Sequence, residues 1–224
     1  RDGNNGSDNP AVSSPLGIKL LSTCSGLDMM VNQEQVGNNW YFYVYGNQRY
    51  DATSGVPGII WTTMYKVINN TNIILENVDN IQGEQAQLNA VKGQALALRA
   101  RCYFNLVRLY QHTYSIAREK PGVPLQLTSD LEPKARASVQ EVYNQIVTDL
   151  TNAETLLVDY GRPSINYYNA DVVNFLLAEV YHTMEDWAKA QQYANKIRSS
   201  YELMTIGEYK AGFSTPNKEW VLAY

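Results

Sequence analysis

The chain has 224 residues, 45% of them hydrophobic and 18% charged, a globular balance that excludes a disordered chain. Its 18 Lys and Arg against 22 Asp and Glu give a formal charge of −4, and no basic cluster stands out to draw it to nucleic acid. Two cysteines, Cys24 and Cys102, are too few for a disulfide scaffold and too far apart in sequence for a zinc site.

Residues 1–15 are rich in Gly, Asn, Ser, Asp and Pro and read as a loose surface arm. Leu21-Ser22-Thr23-Cys24 loosely resembles a bacterial lipoprotein processing site, but Pro15 and Gly17 interrupt the apolar run and no charged segment precedes it. No apolar stretch approaches the roughly 20 residues needed to cross a bilayer. Residues 32–58 mix polar and aromatic side chains, as in Asn38-Asn39-Trp40-Tyr41-Phe42-Tyr43-Val44-Tyr45, and read as a long ordered loop closed by Gly55, Pro57 and Gly58.

Helical periodicity begins beyond this loop. Trp61, Met64, Tyr65, Ile68, Leu75 and Val78 mark one face of a helix over about 60–84. A second helix, over about 84–112, carries two apolar stripes: Leu88, Val91, Ala95, Leu98, Cys102, Leu106 and Leu109, and Leu96, Ala100, Tyr103, Val107 and Tyr110. Two stripes mean burial on two sides. Cys102 accordingly reads as a small buried apolar residue, and Arg99 is expected to pair with an acid inside the stack, because a lone buried charge is too costly. Arg118–Pro133 reads as a loop around Pro121-Gly122-Val123-Pro124. Ser138 and Glu141 have capping-box spacing and open a third helix, over about 138–160, that Gly161 and Pro163 stop. A fourth (about 170–184) and a fifth (about 186–199) follow, the last with Trp187, Ala190, Ala194 and Ile197 on one face. Trp61 and Trp187 lie on such stripes and read as core packing. Trp220–Tyr224 is an apolar run with strand character.

The expected fold is mostly α: stacked helix pairs of tetratricopeptide type, with long ordered loops and a short strand-like tail. Residues 1–58 form an arm and aromatic loop region, and 59–224 the helical domain.

No constellation for catalysis stands out. His112 and His182 lack a partner at ligand spacing, Ser25 sits in no nucleophile elbow, and Glu185-Asp186 at a helix start answers to the helix dipole. The chain therefore reads as a binding module and not an enzyme, with no cofactor and no metal expected.

Several motifs together carry a family resemblance. Trp61-x3-Tyr65-x2-Ile68-x3-Asn72-x2-Leu75-Glu76 and Gly93-Gln94-Ala95-x3-Arg99-Ala100-x2-Tyr103-Phe104-x-Leu106-x-Arg108-x-Tyr110 resemble the first two repeat helices of the SusD/RagB family. Pro121-Gly122-Val123-Pro124-Leu125 resembles its loop, and Ser138-Val139-x2-Val142-Tyr143-x2-Ile146-x2-Asp149-Leu150 its third helix. The resemblance implies the N-terminal half of a longer outer-membrane lipoprotein of Bacteroidetes, whose export signal and lipid anchor lie outside these residues. It implies capture of oligosaccharide or polysaccharide at the cell surface for nutrient uptake, and delivery to a SusC-like TonB-dependent transporter. A protein–protein interaction scaffold of tetratricopeptide type is the alternative.

The same resemblance places a key aromatic contact ahead of the first repeat helix, where Trp40 stands. Trp40, Tyr41, Tyr43 and Tyr45 are candidates for a stacking platform, with Asn38, Asn39 and Arg49 as partners for sugar hydroxyls. Tyr and Trp each offer a flat apolar face and a polar edge. In extended backbone Tyr41, Tyr43 and Tyr45 share one face and Trp40 points to the other. About half of these aromatics are expected simply to cover the helical core.

Overall fold

Every helix expected from the periodicity is present. The computed structural model describes residues 55–130, 132–213 and 215–223. It divides into two units at Lys66/Val67, the first represented by Gly55–Lys66. Helix α1 (Gly55–Asn77) crosses that division and ends in a 3-10 turn, Val78–Asn80. Within its first part Trp61 and Tyr65, one turn apart, bring their rings to 4.9 Å. The second unit adds α2 (Gln85–Tyr110), α3 (Tyr114–Ala117), strands β1 (Pro121–Pro124) and β2 (Arg136–Ser138), α4 (Val139–Leu157), α5 (Ala170–Thr183), α6 (Trp187–Arg198) and α7 (Ile206–Ala211).

Helices α2 and α4 form the centre of the second unit. Gly93 approaches Leu157, Arg99 pairs with Asp149, and Phe104 packs edge-on against Tyr143, so the two helices run antiparallel. Gly93 allows their close approach: a Cβ there would lie 2.7 Å from Leu157 Cγ. Ala95, Cys102 and Leu106 of one predicted stripe and Leu96, Ala100, Tyr103 and Val107 of the other are buried. The stripes fade at both ends, where Val91 and Leu109 are exposed. The face of α4 closes the same core with Val139, Val142, Ile146, Leu150, Ala153 and Leu157. Burial pushes the Cys102 thiol and the Tyr143 phenol each up to about 12.

The capping box is formed as the spacing predicts. Ser138 N–H donates to Glu141 Oε2 (2.7 Å) and Glu141 N–H to Ser138 Oγ (3.2 Å), which holds the Glu141 carboxyl below its ordinary range. A second box, Thr205 with Glu208, opens α7, a helix the periodicity did not mark. Between α5 and α6 only Met184–Asp186 intervene, which makes the pair a helical hairpin. Its corner places Glu185 at φ +64°, and Asp186 then caps α6 by accepting from Lys189 N–H at 3.2 Å.

Two parts of the sequence reading need correction. The segment read as a plain loop over Arg118–Pro133 contains β1, which pairs antiparallel with β2: Pro121 stands opposite Ser138 and Pro124 opposite Arg136, with an irregularity between. Proline is tolerated because this ladder is short and all edge. The tail, by contrast, forms no strand over the described Trp220–Ala223. Its polar backbone is satisfied piecemeal. Arg162 Nη1 donates to Val221 O at 2.7 Å, and Ala223 N–H to Ile165 O at 3.4 Å. No neighbouring edge offers it a ladder among the described residues.

A polar node lies inside this otherwise apolar unit. Arg99 and Asp149 are both buried and meet through two parallel bonds, Nε to Oδ2 and Nη2 to Oδ1, each 2.8 Å. Gln145 Nε2 also donates to Asp149 Oδ1 at 2.8 Å, and Arg99 Nη1 to Asn72 Oδ1 at 2.9 Å. Asn72 Nδ2 then reaches the connection between the strands, donating to Gln126 O and Thr128 O at 2.9 Å each. Tyr103 Oη donates to Gln126 O (2.7 Å) and accepts from Gln126 N–H (2.8 Å). Glu76 accepts from both Ser129 N–H (2.7 Å) and Ser129 Oγ (2.5 Å), which lowers its pKa. The expected acid partner of Arg99 is thus Asp149, and the pair's outer function is to hold the strand connection.

Candidate functional site

The residues singled out for ligand contact, Trp40, Tyr41, Tyr43, Tyr45, Asn38, Asn39 and Arg49, lie outside the described residues. Cys24 does too. Among the described residues, no group of His, Cys, Asp and Glu is arranged to hold a metal ion, and no helix is long and apolar enough to cross a membrane.

Among the described residues, an open groove of about 580 Å³ runs along the α5–α6 hairpin. Helical spacing builds it. Phe175, Ala178, Glu179 and His182 recur at three and four residues on α5 and so share a face. Trp187, Ala190, Gln191, Ala194 and Ile197 do the same on α6. The alanines keep the floor low, and the aromatics rise as walls. Arg108, from the end of α2, closes one side.

This stripe on α6 was expected to pack in the core. Ala190 is buried, but Trp187 is 59% exposed. The expectation fails because periodicity finds a face without saying what covers it. Trp187 is the first residue of α6, and its ring is held upright by an edge-on contact with His182, 5.1 Å between centroids and 81° between planes. Phe175 is also exposed, at 41%. The hairpin behind them is stiffened by a second aromatic pair. Tyr181 and Tyr193 stack at 5.6 Å and 11°, with Lys189 Nζ 4.8 Å from the Tyr181 ring and Lys196 Nζ 4.3 Å from the Tyr193 ring.

The polar groups at the groove are uncommitted. Among the described residues, the Glu179 carboxylate, the Gln191 amide and the His182 ring make no hydrogen bond, and the Arg108 guanidinium lies over the Phe104 ring at 4.8 Å. The site therefore combines exposed aromatic faces with unpaired donors and acceptors of both signs. Sequence reasoning named Trp187 and His182 but missed their combination. The stripe of three alanines flanked by two large aromatics, at matching spacing on consecutive helices, was the available signal.

Comparison with known proteins places this architecture. Residues 18–170 match the SusD-like family model described as "Starch-binding associating with outer membrane". SusD-like protein P2 of Formosa agariphila is 28% identical over 146 residues, covering 64% of this chain and 27% of that protein. The structure is similar to a SusD-like carbohydrate binding protein from Bacteroides vulgatus, with a TM-score of 0.81 and 29% identity over 97% of this chain and 48% of the other. A SusD superfamily protein from Bacteroides thetaiotaomicron gives a TM-score of 0.68 at 27% identity, over 81% of this chain and 40% of the other. The chain spans less than a third of the length of the curated relative and about half that of the first of these structures. Stacked helix pairs of tetratricopeptide type, the strand connection held by its polar node, and a family match over residues 18–170 lead to one assignment: the chain belongs to the SusD-like family.

Proposed function

We propose that this chain is part of a cell-surface glycan-binding protein that hands oligosaccharide to a TonB-dependent transporter in the outer membrane, and that it binds without catalysing. The carrying observation is the family match over residues 18–170, which takes in both the aromatic segment and helices α1 to α4. The sugar platform is Trp40, Tyr41, Tyr43 and Tyr45, with Asn38, Asn39 and Arg49 meeting hydroxyls. Aromatic faces supply the apolar contact that axial C–H groups of a sugar seek, and amide and guanidinium groups supply its hydrogen bonds. The helical repeats serve as the transporter-docking surface, since stacked helix pairs leave an extended face open. The lipid-anchored, surface-exposed location follows the same reading.

Affinity electrophoresis against plant and host polysaccharides tests the binding step. A shallow, wet site gives affinities of roughly millimolar to micromolar, and Trp40→Ala is expected to weaken binding several-fold with unchanged helical circular dichroism. Equal retardation of parent and variant would place the platform elsewhere. Co-purification with a TonB-dependent transporter tests the second step. If the protein stays alone under conditions that preserve such complexes, the reading reduces to a glycan-binding module.

A further inference from the structure

We draw no further inference here: the strongest candidate, the open groove along the α5–α6 hairpin with Trp187 and Phe175 exposed on its walls, is an unpartnered, largely apolar face, and nothing in the structure shows what covers it.

Discussion

Replacing Asp149 by alanine removes the carboxylate that, among the described residues, pairs with Arg99 in the centre of the α2–α4 pair. Both side chains are nearly sealed from water, with 8% and 2% of their surface accessible. The guanidinium keeps Asn72 Oδ1 at 2.9 Å but loses two charge-assisted bonds of 2.8 Å. Leaving one member of a buried pair uncompensated costs about 3–5 kcal/mol. For a chain of this size each kcal/mol moves the midpoint by roughly 2–4 °C, so the expected fall in Tm is on the order of 10 °C. The paired change Arg99→Met with Asp149→Leu removes both charges and both desolvation costs. It is expected to recover most of the loss, with a residue of ~1–2 kcal/mol for the Asn72 carbonyl left without its donor. Thermal and urea unfolding followed by circular dichroism measure both variants. Trypsin cleavage after Lys134 reports on the strand connection, which Asp149→Ala loosens through Arg99 and Asn72. A single variant within about 1 kcal/mol of the parent, or a double variant less stable than either single one, would refute the account.

Gly93→Ala is expected to destabilise by about 1–3 kcal/mol in urea unfolding, since the new methyl meets Leu157 Cγ at 2.7 Å in a packed helix pair. The Cys102 thiol, raised to about 12 by burial, is expected to resist alkylation at pH 8 in the folded chain and to react in urea, read by mass spectrometry of its tryptic peptide. The same raised pKa ties stability to alkaline pH. The unfolded thiol ionises from about 8.5 while the folded one stays protonated, so this contribution is present below that pH and is lost as pH rises toward 12. Glu76, Glu141 and Glu208 shift the other way, each held low mainly by hydrogen bonds from a neighbouring Ser or Thr. Their contribution is present above the ordinary Glu value of about 4.3 and is lost as pH falls through their lower folded values, so Glu76→Gln is expected to flatten the acid limb of a stability–pH curve.

The helices were legible because each carries its own periodic stripe, and α4 also carries a written start signal in Ser138 and Glu141. Arg99 was legible as half of a pair, since a charge between two apolar stripes has few physical options. Its partner was not, because Asp149 lies 50 positions away and nothing local marks it among the chain's acids. The short ladder of β1 and β2 escaped for a related reason: two strands of four and three residues, one bounded by prolines, show no alternation to read. Helix α7 was overlooked although Thr205 and Glu208 repeat the capping-box spacing, because no apolar stripe buried in a core follows them. The groove escaped most completely. A stripe such as Trp187, Ala190, Ala194 and Ile197 looks the same whether another helix covers it or water does.

The node of Asn72, Arg99, Asp149 and the Gln126–Thr128 backbone also bears on how the molecule melts. Arrays of helical repeats commonly unfold piecemeal, since each unit touches only its neighbours. Here one guanidinium is satisfied only when residues from α1, α2, α4 and the strand connection are all in place, across separations of 27 to 50 positions. A partial structure that buries Arg99 before α4 has brought Asp149 to it holds a desolvated charge with no counterpart, and so is penalised relative to both the folded and the unfolded chain. The node thereby favours joint over piecemeal unfolding of the elements it ties together within Val67–Leu157.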